Sequence, residues 1–186
     1  VAVGAPATDL VRIESFDGRS STNIDPYRQG TSYYSDLGIN YAGSYFGGEV
    51  RLSGDGNTIA IASMYYDTSP DEMYEGYGGS GYENDGVVAI LRRTGPGFSY
   101  EVIGSDIHGA GQELYFGTEI ALSSDGNTVA IGSPHQDIGL INVGTTRVYR
   151  YINNSWTQLG SFFYGEEAHD EEGKALSPVS YTHLRA

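Results

Sequence analysis

FGGEVRLSGDGNTIAI at residues 46–61 and FGTEIALSSDGNTVAI at residues 116–131 are two copies of one phrase. Phe46-Gly47 and Phe116-Gly117 lie 70 positions apart, and Asp55-Gly56-Asn57-Thr58 and Asp125-Gly126-Asn127-Thr128 share that offset. A match of this length in a common register marks an internal repeat. Within the phrase the period is that of strands. Glu119-Ile120-Ala121-Leu122-Ser123 alternates, a turn follows, and Thr128-Val129-Ala130-Ile131-Gly132 resumes the run. Asp-Gly and Gly-Asn supply the positive φ that a primed hairpin turn needs, so each copy reads as a β-hairpin.

Outward from the second copy, Thr146-Arg147-Val148-Tyr149-Arg150-Tyr151 reads as a third strand. Asn153-Asn154 turns it into a fourth, Ser155-Trp156-Thr157-Gln158-Leu159. The same grammar places strands near 48–53, 58–63, 86–92 and 98–103 in the first copy, and no segment carries sustained helical periodicity. Four antiparallel strands per unit, joined by short turns, make a propeller blade. The expected fold is therefore all-β, a partial, open β-propeller of about three four-stranded antiparallel blades.

Two partial copies flank the pair. VAVGAP at 1–6 matches VAIGSP at 129–134, and Gly104, Gly109 and Gly117 are spaced as Gly160, Gly165 and Gly173 are. The expected division is the end of a first blade and a connection at 1–45, and a second blade at 46–103 with a long loop at 64–85. A connection and third blade follow at 104–161, and the start of a fourth at 162–177. On this reading the chain begins and ends inside units, and Val1, Val3, Ile13 and Phe16 are expected on an uncovered N-terminal face. Residues 178–186 break the grammar and resemble a translated sequencing adapter, so they carry no weight for the fold.

The chain holds 27 glycines and 16 tyrosines against 6 prolines, which points to tight turns between aromatic-rich strands. With 39% hydrophobic and 18% charged residues it is a globular composition, not a disordered one. A formal charge of −14 repels phosphate backbones and anionic lipid, which excludes nucleic acid as a partner. No apolar run reaches membrane-spanning length, so no membrane insertion is expected within these residues. The absence of cysteine excludes disulfides, thiol catalysis and thiolate metal sites.

The order Phe-Gly, apolar strand, Asp-Gly turn, apolar strand ending Gly-Ser/Ala-Pro, then an aromatic strand, resembles the FG-GAP repeat of integrin α-chains and many secreted proteins. Phe116-Gly117 corresponds to the FG, and Gly132-Ser133-Pro134 and Gly4-Ala5-Pro6 to the GAP. Ala62-Ser63-Met64 departs from that pattern, and Glu172 stands where the last unit's Phe belongs. WD repeats share the Ser-x-Asp-Gly-Asn-Thr turn, but their period of about 40–45 residues is shorter than the spacing here. The resemblance implies a propeller and a place outside the cell or on its surface. It is specific for fold and weak for function.

Integrin-type FG-GAP blades often hold calcium between their first two strands, where six to eight oxygen ligands are needed. Ser53–Asn57 and Ser123–Asn127 each offer one carboxylate in a tight turn, so they read as turns, not as cation sites, and no cofactor is expected there; calcium among the carboxylates of the 64–85 loop stays an open alternative that no spacing specifies. The long loop 64–85 interleaves acidic and tyrosine side chains among adaptable Gly and Ser, the composition of a binding loop. Tyr66, Asp67, Asp71, Glu72, Tyr74, Tyr77 and Tyr82 are its candidate ligand-binding residues, with a solvated loop that binds nothing as the competing reading. Asn153-Asn154-Ser155 is a glycosylation sequon at an exposed turn, relevant if the protein is eukaryotic and secreted. No nucleophile elbow, triad, metal-spaced histidine pair or phosphate-cradling loop appears. Glu49 and Glu119, the one acidic residue on each first strand, are too few for a channel active site. The expectation is a non-enzymatic extracellular binding or adhesion module with a protein or carbohydrate ligand. The rivals are the propeller of a larger secreted enzyme and a structural repeat spacer.

Overall fold

The structure is a computed structural model that describes residues 2–5, 10–14, 21–24, 45–66, 85–95, 99–109 and 115–177. Among them there is no helix; thirteen strands form three antiparallel sheets. The first holds β1 (Ala2–Ala5), β2 (Leu10–Glu14) and β3 (Ser21–Ile24) in that order. The second runs β4 (Phe46–Leu52), β5 (Thr58–Ser63), β6 (Val87–Arg93), β7 (Tyr100–Val102), with short β8 (Ile107–His108) also on β6. The third repeats that plan: β9 (Glu119–Leu122), β10 (Thr128–Ser133), β11 (Thr145–Ile152) and β12 (Ser155–Gln158), with β13 (Phe163–Tyr164) also on β11.

The alternation within β5 explains the stacking. All six of its residues are buried, so neither face of the second sheet at this strand meets water. Ile59 and Ile61 pack with Val11, Ile13, Phe46, Val87, Ala89 and Leu91, toward the first sheet. Ala60 and Ala62 turn the other way and pack with Phe116, Ile120, Val129 and Ile131 of the third. Large residues fill one interface while small ones admit a neighbouring sheet to the other, and a strand covered on both sides reads as a continuous apolar run. Val11 and Ile13 are 0% and 1% exposed. The expectation of an uncovered Ile13 is thus wrong, because its face of β2 is turned into the second sheet. Val1 and Phe16 lie outside the described residues, as do 178–186.

Corresponding residues of the second and third sheets make the same close approaches. Gly86 and Gly144, at φ +76° and +72°, carry Phe116 and Glu172 on their bare backbones. A Cβ at Gly86 would lie 2.2 Å from the Phe116 carbonyl oxygen, and one at Gly144 would lie 2.3 Å from the Glu172 nitrogen. Glu172 does not fill an apolar slot as Phe116 does; the Thr146 hydroxyl donates to its Oε1 at 2.9 Å. The substitution of Glu for Phe is accommodated by a polar partner on β11.

The hairpin turns also correspond, with one difference from the expected geometry. Only Gly56 (φ +70°) and Gly126 (φ +65°) are left-handed within them, whereas a type I′ turn needs positive φ at both central residues. The Gly56 N–H donates to the Ser53 carbonyl at 2.9 Å, and Gly126 does the same to Ser123 at 2.9 Å. Each is a four-residue turn closed by a left-handed glycine. Asn153-Asn154, at φ +50° and +63°, is the primed turn, and it joins β11 to β12.

Candidate functional site

The two ends of the stacked strands differ in chemistry. One carries the Asp-Gly turns. In the first, Asp55 Oδ1 accepts from the Ser53 hydroxyl at 2.5 Å and the Asn57 backbone N–H at 2.9 Å, and Oδ2 accepts from the Asn57 amide at 3.1 Å. In the second, Asp125 Oδ1 accepts from Ser123 at 2.7 Å and Asn127 N–H at 3.0 Å. The carboxylates close their own turns. Adjacent turns also bind each other: Asp55 N–H donates to the Ser124 carbonyl at 3.1 Å, and the Arg92 guanidinium donates to Gly126 O and Asn127 Oδ1, both at 3.0 Å.

These contacts set the charge of both aspartates. Burial pushes the Asp55 carboxyl up, but the donors from Ser53 and Asn57 outweigh it and hold the value below the ordinary range. The Ser123 hydroxyl, then the Asn127 N–H, lower Asp125 in the same way. A folded pKa below the unfolded one contributes stability present above the unfolded value near 3.9 and lost as pH falls through the folded value. Asp125→Asn should therefore flatten the acid limb of thermal stability below about pH 4 and cost about 1 kcal/mol at neutral pH. Calorimetry from pH 2 to 7 checks both effects. Wild-type and variant limbs that run parallel would contradict this role.

Between the first strands, Arg51 pairs with Glu49 on its own strand and reaches Glu119 Oε1 on β9 at 2.8 Å. Burial raises the Glu49 carboxyl, against the opposing pull of Arg51. Among the described residues no group of three or more His, Asp or Glu side chains could hold a metal ion.

The opposite end carries aromatic rings. Tyr45 and Tyr65 meet edge to face at 5.2 Å, Tyr65 and Tyr115 at 5.7 Å, and Tyr115 and His135 at 5.6 Å. Tyr45 and Tyr65 are 40% and 43% exposed, and His135 is exposed too, so this row is not core. Its members occupy repeated places. Tyr45 and Tyr115 each precede the Phe-Gly pair, and Tyr65 and His135 each lie two residues beyond β5 and β10. Both Phe-Gly tyrosines are left-handed, at φ +63° and +45°, as is Glu171 at +51° before Glu172. Left-handed backbone is uncommon for a bulky residue, and it costs of order 1–3 kcal/mol. An open cleft of about 480 Å³ lies along the row, lined by Met64, Tyr65, Tyr115, Thr118, His135, Asp137 and Asn142.

Of the residues expected to bind ligand in the 64–85 loop, Tyr66 is half-buried. It packs against the core between the first two sheets, its ring lies 5.7 Å from that of His108, and its carbonyl accepts from Gly86 N–H at 3.0 Å. Asp67, Asp71, Glu72, Tyr74, Tyr77 and Tyr82 lie outside the described residues. Asn153 is exposed at its turn, open to a modifying enzyme. The row itself was missed by sequence reasoning although a signal exists. The 70-residue offset pairs Tyr45 with Tyr115, immediately before the matched windows, and Tyr65 with His135, four residues after them.

Among the described residues no helix is long and apolar enough to cross a membrane. No protein-family model matches the sequence, and no curated protein matches it either.

Proposed function

We propose that the chain is part of an FG-GAP-type β-propeller whose three sheets are successive blades, and that it acts outside the cell as a non-enzymatic binding module. One observation supports this reading above the others. Equivalent positions of two units bring aromatic side chains to the same strand end, Tyr45, Tyr65 and His135 exposed and Tyr115 half-buried, with Tyr45 and Tyr115 at a backbone conformation that bulky residues avoid. Core packing does not require rings there, and local strain held in place by surrounding structure is characteristic of functional surfaces. The rigid stack of sheets supplies the platform, and the strand-end residues supply the contacts. Blade packing also gives the small residues of β5 their purpose, since a blade must admit a neighbour on each face.

The test is retention of the purified chain on an array of immobilised extracellular proteins and glycans, followed by mass analysis of any ligand retained. The expected result is saturable retention on at least one ligand that is recovered chemically unchanged. Recovery of a cleaved or modified ligand would replace the binding module with an enzyme. Retention on nothing would leave a structural spacer.

A further inference from the structure

We propose that the row Tyr45–Tyr65–Tyr115–His135 is a binding site for a neutral polysaccharide. The inference rests on the binding-module reading and assigns that module its surface and its ligand class. A sugar ring has an apolar face of C–H groups and a rim of hydroxyls, so its recognition needs aromatic faces and hydrogen-bonding side chains in one place. The cleft provides both. Tyr65 and Tyr115 are the aromatic walls, and Thr118, His135, Asp137 and Asn142 are the polar ones.

The polar side chains are held ready. The Asn142 backbone N–H donates to Asp137 Oδ1 at 2.6 Å, which fixes that carboxylate against the turn. Thr118 donates its hydroxyl to the Tyr115 carbonyl at 2.6 Å, so its oxygen remains an acceptor for a ligand hydroxyl. Preorganised groups of this kind reduce the ordering cost of binding. Tyrosine adds large contact area with few rotatable bonds.

Shape and charge select the class. The cleft is open and follows the rings of Tyr65, Tyr115 and His135, 5.7 and 5.6 Å apart, across two sheets, with Tyr45 5.2 Å beyond Tyr65, which suits an extended polymer better than an enclosed small molecule. Among the described residues no lysine or arginine lines it, and the chain carries a formal charge of −14, so uronic or sulfated polymers are repelled. A basic peptide is the other class that charge would admit. Asp137, the one carboxylate lining it among the described residues and already bonded to Asn142, makes a weak cation site.

The backbone provides a variant that separates binding from folding. Tyr115 sits at φ +45°, a conformation glycine adopts without steric cost. Tyr115→Gly should remove the central ring while leaving the melting temperature within a few degrees of wild type. The experiment is affinity electrophoresis in native gels cast with amylose, laminarin, hydroxyethylcellulose, galactomannan or dextran, where the acidic chain migrates freely. The expected result is retardation by at least one of these neutral polymers, weakened tenfold or more in both Tyr115→Gly and Tyr65→Ser. Tyr164→Ser, an exposed tyrosine on β13, should leave retardation unchanged. Absence of retardation in every gel overturns the proposal, and so does retardation indifferent to Tyr65 and Tyr115. If instead polylysine or an immobilised protein is bound and Tyr115→Gly abolishes it, the polysaccharide is wrong while the binding module stands. If no probe of any class is bound, both readings fall.

Discussion

Phe116→Ala should lower unfolding stability by about 3–5 kcal/mol, the range for truncating a buried aromatic that leaves a cavity. Phe116 is 0% exposed and sits in the core between the second and third sheets, with Ala62, Val88, Ile120 and Ile131 in the same cluster. Its ring lies 5.8 Å beneath the Arg147 guanidinium, and its backbone rests on Gly86. Rigid strands on both sides limit collapse into the void, which favours the upper part of the range. A domain's total stability is about 5–15 kcal/mol, so the variant should approach half-unfolding at modest urea concentrations. Urea titration followed by far-UV circular dichroism measures this. A loss below about 1 kcal/mol would mean that the second and third sheets do not share this core.

Gly86→Ala is the second large effect, and its partner Gly56→Ala supplies the contrast. Both glycines are left-handed, at φ +76° and +70°. A methyl at Gly86 would meet Phe116 backbone atoms at 2.2 and 2.7 Å, whereas one at Gly56 has no atom within 4 Å among the described residues. Gly56→Ala therefore bears only the left-handed penalty of about 1–2 kcal/mol. Gly86→Ala adds a clash with backbone that cannot rotate away, and overpacking raises the cost to about 3–5 kcal/mol. The two variants should differ by about 1–4 kcal/mol, which is about 2–16 °C in melting temperature, because each 1 kcal/mol moves it by about 2–4 °C in a chain of this size. Equal destabilisation would show that Phe116 does not rest on Gly86.

The antiparallel hairpins were legible because the matched windows carry their own signal. Ile59-Ala60-Ile61-Ala62 alternates large and small, and the glycine after each aspartate marks the turn. The turn type was not legible from the Asp-Gly pair, since the Ser53 and Ser123 carbonyls accept from the glycine N–H three residues on, which makes Gly54-Asp55 and Ser124-Asp125 the central pairs. Nor was the burial of Ile13. A strand's covered face depends on a sheet that arrives some fifty residues later at Ile59 and Ile61. Tyr66 shows the limit for site residues. Composition made it a candidate and passed over its neighbour Tyr65, yet the chain beyond β5 turns Tyr66 toward the core and Tyr65 into the exposed row.

The central claim is that the two repeated hairpins stand side by side in stacked sheets, so that their strand ends form one continuous row. Gly54 and Ser124 give the direct measurement, because the chain has no cysteine of its own. A Cβ at Gly54 would lie 3.1 Å from the Ser124 Cβ, and disulfides span about 3.5–4.5 Å between these atoms, so a small adjustment is enough. On mild oxidation, the Gly54→Cys, Ser124→Cys double variant should form an intramolecular disulfide nearly completely in buffer and far less in 8 M urea, as non-reducing electrophoresis will report. Gly54→Cys with His135→Cys, which places the thiols at opposite strand ends, should stay reduced. A Gly54→Cys, Ser124→Cys pair that stays reduced, or links only between molecules, would show that the hairpins are not neighbours and that no common row exists.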